Sequence, residues 1–76
     1  MPTYFFHMRD GEYLIKDDEG SVFEDVETAA HELRASARDW ALQIIRSGQK
    51  IDGQVMEMLD EQGNVRLSLP LRLIVN

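Results

Sequence analysis

The middle of the chain carries the helical period without a break, and this segment most limits what the chain can fold into. Its apolar residues recur at spacings of three and four: Val26, Ala29, Ala30, Leu33, Ala37, Trp40, Ala41, Ile44 and Ile45. Such spacing places them on one face of an α-helix. Asp25 stands at the N-cap position, and Gly48 stands where a left-handed C-cap belongs. The sequence therefore predicts one long amphipathic helix from about Val26 to Ser47, whose apolar face packs against the rest of the chain.

The segment before the helix has the alternating pattern of strands. Residues Tyr4 to Arg9 place Tyr4, Phe6 and Met8 on one side and Phe5, His7 and Arg9 on the other, which predicts a first strand. Asp10-Gly11 is a tight-turn signal, and Tyr13 to Ile15 is predicted to return antiparallel. A short third strand is predicted at Val22-Phe23, after a run of turn formers.

The segment after the helix has the pattern of a second hairpin. Gln54 to Leu59 and Val65 to Leu69 flank the turn formers at 60–64. Alternation predicts that one face of this hairpin meets the core, and its residues are Met56, Met58, Val65, Leu67 and Leu69. Pro70 cannot donate to a sheet ladder, so Leu71 to Val75 is predicted either to continue bent along an edge or to dock elsewhere.

Together these elements predict a single domain over residues 1–76 of the α+β class. One long helix packs on one face of a mostly antiparallel sheet of four or five strands, in the order β-β-(β)-α-β-β. The order of the strands within the sheet stays open, because two hairpins joined by a helix can be arranged in several ways.

Charge and composition exclude several classes of function. The 76 residues include eight Lys and Arg against fourteen Asp and Glu, for a formal net charge of −6. An acidic chain is poorly suited to phosphate backbones, so we expect no nucleic-acid partner. The absence of cysteine excludes disulfides and thiolate sites. No stretch has the pattern of a membrane span or a secretory signal, so we expect a cytoplasmic protein without a membrane partner.

The polar residues carry no recognised motif for catalysis or metal binding. The acidic run Asp17-Asp18-Glu19 does not fit a calcium loop, because a glycine at position six would put Ile15 at position one. It is predicted to be a solvated hairpin loop. His7 and His31 are not spaced as a pair of metal ligands, and no serine lies in a Gly-x-Ser-x-Gly sequence. We predict no catalytic residue, no metal and no cofactor.

A single helix leaves the second face of the predicted sheet open. Strand alternation assigns to this face Phe5, His7, Arg9, Glu57, Leu59, Arg66 and Ser68. Large apolar side chains on an open face suggest an interaction surface for a protein partner or for a second copy of the chain. The alternative is that Phe5 and Leu59 are isolated apolar residues on a monomer surface. Arg34 and Arg38, one helical turn apart, are interpreted as a solvated helix face.

Several short motifs are spread along nearly the whole chain. They are Met1-Pro2-x-Tyr4-Phe5-Phe6, Asp10-Gly11, Asp18-Glu19-Gly20, Asp25-Val26-Glu27-x-Ala29, Asp60-Glu61-x-Gly63-x-Val65 and Leu69-Pro70-Leu71. In their order and spacing they resemble a family of short bacterial proteins known only as a domain of unknown function. That resemblance implies no assigned activity, cofactor or site.

A second resemblance concerns the layout and the helix entry Phe23-Glu24-Asp25-Val26-Glu27-Thr28-Ala29. It is similar to the domain of HicB-like antitoxins, a small acidic domain that binds and blocks an RNA-cleaving toxin, and the likeness is one of fold alone. Our preferred hypothesis is a non-catalytic interaction or regulatory module that self-associates or binds another protein. One alternative is an antitoxin-like protein that blocks a partner. Another is a small enzyme or ligand binder that uses His7, Arg9 and Glu57 on the open sheet face.

Overall fold

The computed structural model describes residues 1–75, and Asn76, which ends the predicted domain, lies outside the described residues. It confirms an α+β fold in which strands precede and follow one helix along the chain. The elements are β1 (Thr3–Asp10), β2 (Tyr13–Ile15), β3 (Ser21–Val22), α1 (Val26–Arg46), β4 (Val55–Leu59), β5 (Val65–Pro70) and a 3-10 turn (Leu71–Leu73). The predicted short third strand is present, one residue earlier than expected. No helix in residues 1–75 has the length and continuous apolar character needed to cross a bilayer.

The sheet is antiparallel, and β1 lies at its centre. The strand order is β2-β1-β4-β5, and β3 pairs with the first residues of β1. The two hairpins meet where β1 pairs with β4, with His7 opposite Glu57 and Phe5 opposite Leu59. This central pairing joins strands far apart in the chain, which is why the sequence left the strand order open.

Helix α1 covers one face of the sheet. Its buried stripe is Ala29, Leu33, Ala37, Ala41 and Ile44, and the sheet supplies Tyr4, Met56 and Met58 to the same core, with Phe6, Met8, Leu67 and Leu69 packed beside them. Three alanines in the stripe allow the helix axis to approach the sheet closely, while Leu33 fills the space between them. The predicted stripe was too wide at its margins, because Val26 is exposed and Ile45 is 52% exposed.

Both ends of α1 are capped as predicted. The Asp25 carboxylate accepts a hydrogen bond from the backbone N–H of Thr28 at 2.7 Å. Hydrogen bonding to the Thr28 side chain, together with this backbone bond, lowers the pKa of Asp25 below its ordinary value. At the other end Gly48 has a φ of +80°. The backbone N–H of Gly48 donates to the Ile45 carbonyl, and that of Gln49 donates to the Ile44 carbonyl. These two bonds satisfy carbonyls that a helix end otherwise leaves without partners.

A β-bulge in the second hairpin corrects one predicted orientation. Met58 pairs with Leu67, but the next residue, Leu59, pairs with Val65, so Arg66 is the extra residue. A bulge of this kind changes the face to which the preceding residue points. Val65 therefore shares the face of Leu59, away from α1, and is 54% exposed, whereas the alternation predicted it in the core.

The chain end follows the second of the two predicted courses. Pro70 ends β5, and the chain turns into the 3-10 segment, where Leu71 is fully buried. The Leu71 N–H donates to the Gln54 carbonyl at 2.9 Å, which fixes the turn against the start of β4. The tail therefore docks beside α1 and does not extend the sheet.

Candidate interaction surfaces

The predicted open-face residues do lie together on the sheet face away from α1. Phe5 and Leu59 form one cross-strand pair, and His7 and Glu57 form the next. Arg9 follows on β1, and Ser68 lies opposite Glu57 on β5. Strand alternation was sufficient to place these side chains, because directly opposed residues in a sheet point to the same face.

The charged residues of this face are paired with one another. The Nη2 atom of Arg9 lies 3.3 Å from the Oε1 atom of Glu57, and the Nη1 atom of Arg66 lies 3.7 Å from the Oδ2 atom of Asp60. Both arginines are partly exposed, so water screens both pairs and each contributes little to stability. The pairs nevertheless reduce the charge that this face can offer to a ligand.

Asp17 closes a gap in the sheet between β2 and β3. Its Oδ2 atom accepts the Phe6 N–H at 3.1 Å, and its Oδ1 atom accepts the Gly20 N–H at 3.0 Å. Its own backbone N–H donates to the Nδ1 atom of His7 at 3.2 Å, which assigns the proton of the neutral imidazole to Nε2. Asp18 and Glu19 are exposed as predicted, but Asp17 is a structural part of the sheet.

The electrostatics of Asp17 follow from these bonds. Partial burial raises the pKa of its carboxyl, but hydrogen bonds from the backbone N–H groups of Gly20, Phe6 and Glu19 outweigh this effect and lower it. The net result is a pKa below the ordinary value. The carboxylate therefore stays ionised at neutral pH and serves as an acceptor, not as a proton donor.

An open groove of about 260 Å³ lies beside Phe5 and His7, and its rim is mostly acidic, with Asp18, Asp60 and Glu61. Phe5 is partly covered here by Gly20, since a Cβ atom on Gly20 would lie 2.7 Å from the Phe5 ring. No group of three or more His, Asp or Glu side chains within residues 1–75 is arranged to hold a metal ion. The groove combines two half-buried apolar side chains, Phe5 and Leu59, with an acidic rim.

A second groove, which the sequence did not predict, lies between α1 and the chain end; we call it the α1–tail groove. It has a volume of about 320 Å³ and is lined by Arg38, Ala41, Leu42, Ile45, Ile74 and Val75. Leu42 is 48% exposed, and Ile45 and Val75 are similarly exposed. Side chains from two separate elements thus form one apolar surface.

The comparison with known families identifies where the chain belongs. A family model described as a domain of unknown function, DUF6894, matches residues 3–72. The chain belongs to this family. No curated protein and no solved structure matches the chain. The family match confirms the predicted resemblance to a domain of unknown function, and it brings no assigned activity to either surface.

The family match covers every strand and all of α1. It ends at Arg72, so the helix wall of the α1–tail groove lies inside the matched region, whereas Ile74 and Val75 lie beyond it. One signal for this groove was present in the sequence. Arg38, Leu42 and Ile45 follow one another at spacings of four and three, which forms a second stripe on α1 beside its buried stripe.

Proposed function

We propose that this chain is a non-catalytic interaction module that binds a protein partner through the α1–tail groove. The observation that supports this proposal is the meeting of exposed apolar side chains from α1 and from the tail in one groove. Contiguous exposed apolar surface on a small domain marks an interaction site more often than scattered single residues do.

The magnitude of apolar burial limits how tight such binding can be. Covering the exposed half of a Leu, Ile or Val side chain contributes about 1 kcal/mol, so Leu42, Ile45 and Val75 together contribute roughly 3 kcal/mol. Ile74 is partly buried already and adds less. Association itself costs an estimated 4–15 kcal/mol in lost freedom and ordering. Apolar burial in this groove is therefore not sufficient alone, and a partner has to gain further contacts around it.

The predicted enzyme or ligand binder on the open sheet face has less support. A general base needs an available lone pair near its substrate. The Nδ1 atom of His7 already accepts the Asp17 N–H, and the carboxylate of Glu57 is paired with Arg9. The antitoxin-like alternative stays a prediction, and it requires a basic partner on the acidic loops at Asp18 or Glu61, away from the α1–tail groove.

Site-specific photo-crosslinking tests the proposal without knowledge of the partner. A photo-reactive phenylalanine analogue is placed at position 42 and, as a matched control, at position 13, where Tyr13 is also strongly exposed but lies on β2. In the cells that produce the protein, we expect a crosslinked product of discrete mass from position 42 and none from position 13. No product at 42, or equal products at both positions, would contradict the proposal.

A further inference from the structure

We infer that the partner segment for the α1–tail groove is acidic and amphipathic, with carboxylates beside apolar side chains on one face. This inference rests on the proposed function and adds the chemistry of the partner. The apolar requirement comes from the walls of the groove, which are made of Ala41, Leu42, Ile45, Ile74 and Val75. The acidic requirement comes from the charges that border these walls.

One arginine lines the groove on its helix side, and a second arginine is its neighbour on α1. Arg38 lines it, and Arg34 lies one helical turn before Arg38 on the exposed side of α1. Residues three or four positions apart on a helix are the neighbours with which such side chains form ion pairs. For these two arginines the neighbours are Ala30, His31, Ala35, Ala37, Ala41 and Leu42, together with each other. None of them is a carboxylate.

This arrangement is unusual for a chain in which fourteen acidic residues stand against eight basic ones. The ion pairs that the structure describes in residues 1–75, Arg9 with Glu57 and Arg66 with Asp60, lie on the opposite side of the sheet. Two like charges one turn apart also repel each other and disfavour the helix. Carboxylates from a partner would remove this repulsion and complement the exposed guanidinium groups.

The same charges argue against a second copy of the chain in this groove. A two-fold contact between identical surfaces would bring Arg34 and Arg38 of both copies to the same interface. Like charges across an interface oppose association. A partner with carboxylates next to apolar side chains can pack against the apolar walls and also pair with Arg34 and Arg38. A second copy can only pack against the walls.

Selection from a library of displayed random peptides tests the inference. The wild-type chain is the target, and the recovered peptides are then measured against Arg34→Gln/Arg38→Gln, against Leu42→Glu, and against Arg72→Gln. The last variant is a matched control, because Arg72 is exposed but lines a different groove. Circular dichroism checks that each variant is folded.

We expect enriched peptides that combine Asp or Glu with apolar residues. Their affinity is expected to fall by about tenfold for Arg34→Gln/Arg38→Gln and at high salt, and to stay unchanged for Arg72→Gln. The acidic assignment would be overturned by neutral or basic peptides that bind Arg34→Gln/Arg38→Gln as well as they bind wild type. No enrichment of any peptide would overturn it too. So would a dimer of the wild-type chain that Leu42→Glu dissociates, although the proposed function would then stand. Peptides that bind Leu42→Glu as well as wild type would instead refute the proposed function.

Discussion

Replacement of Asp17 by alanine is the perturbation that best tests how the open face is built. It removes the acceptor for two backbone N–H groups, those of Phe6 at 3.1 Å and Gly20 at 3.0 Å. Hydrogen bonds to a charged acceptor contribute about 1.5–3 kcal/mol each. Because Asp17 is only partly buried, water replaces part of this contribution, and we expect a loss of about 2–3 kcal/mol. A chain of this length has a total free energy of unfolding of roughly 4–11 kcal/mol.

The effect of Asp17→Ala is expected to depend on pH. The folded state holds the pKa of Asp17 below its ordinary value, which is about 3.9 in an unfolded chain. Its contribution is therefore fully present above that unfolded pKa and is lost as the pH falls through the folded pKa. The stability difference between wild type and Asp17→Ala should be constant at neutral pH and should shrink below about pH 4.

Urea denaturation followed by circular dichroism measures both quantities. Asp18→Ala is the matched control, because Asp18 is the adjacent carboxylate and is exposed. We expect the control to change the free energy of unfolding by less than about 0.5 kcal/mol. Equal losses for the two variants at neutral pH, or a difference that grows as the pH falls, would refute the assignment of Asp17 to the sheet.

Three further predictions concern other parts of the fold. Gly20→Ala is expected to cost about 2–4 kcal/mol, because it combines a φ of +71° with a Cβ only 2.7 Å from the Phe5 ring. Gly11→Ala, with a φ of +61° and open space around it, should cost only about 1–2 kcal/mol. Equal urea midpoints for the two variants would contradict a close contact between a Cβ at position 20 and the Phe5 ring. Leu33→Ala removes a fully buried side chain and should cost about 2–5 kcal/mol by denaturation, so a loss below 1 kcal/mol would place Leu33 outside the core. Nitrogen-15 NMR of neutral His7 should find the proton on Nε2, and a proton on Nδ1 would contradict the observed hydrogen bond.

The elements of the fold could be predicted because their signals are local. The helix begins after Asp25 and ends before Gly48, and both residues act through backbone groups within a few positions of themselves. The strand faces of β1 and β4 follow from simple alternation. These interactions need no knowledge of the rest of the chain, so composition and spacing were sufficient.

The remaining features depend on contacts between distant segments. The pairing of β1 with β4 joins Phe5 to Leu59 and sets the strand order. The bulge at Arg66 depends on the loop before it, where the Asp60 carboxylate accepts the backbone N–H groups of Gln62 and Asn64. The bond from Asn64 is the main cause that lowers the pKa of Asp60. Acidic turn residues signal a hairpin loop, but they do not specify whether the next residue is bulged.

The candidate site was predicted only in part for the same reason. Alternation placed Phe5, His7 and Glu57 on the open face, but it could not show that Asp17 and Glu57 pair with their neighbours there. The α1–tail groove requires the tail to turn at Pro70 and dock beside Ile45, which no local pattern specifies. Leu42 could therefore not be singled out from the sequence, because Ile74 and Val75, which line the same groove, are distant from it in the chain.

A direct comparison of Leu42→Ser with Phe5→Ser tests the central claim, because the same kind of change is made on the two competing surfaces. The partner identified by crosslinking is captured from lysate with wild-type and variant chains, and its bound amount is measured at equal amounts of folded protein. We expect Leu42→Ser to lose the partner and Phe5→Ser to retain it. Retention by Leu42→Ser together with loss by Phe5→Ser would contradict binding through the α1–tail groove and assign it to the open sheet face.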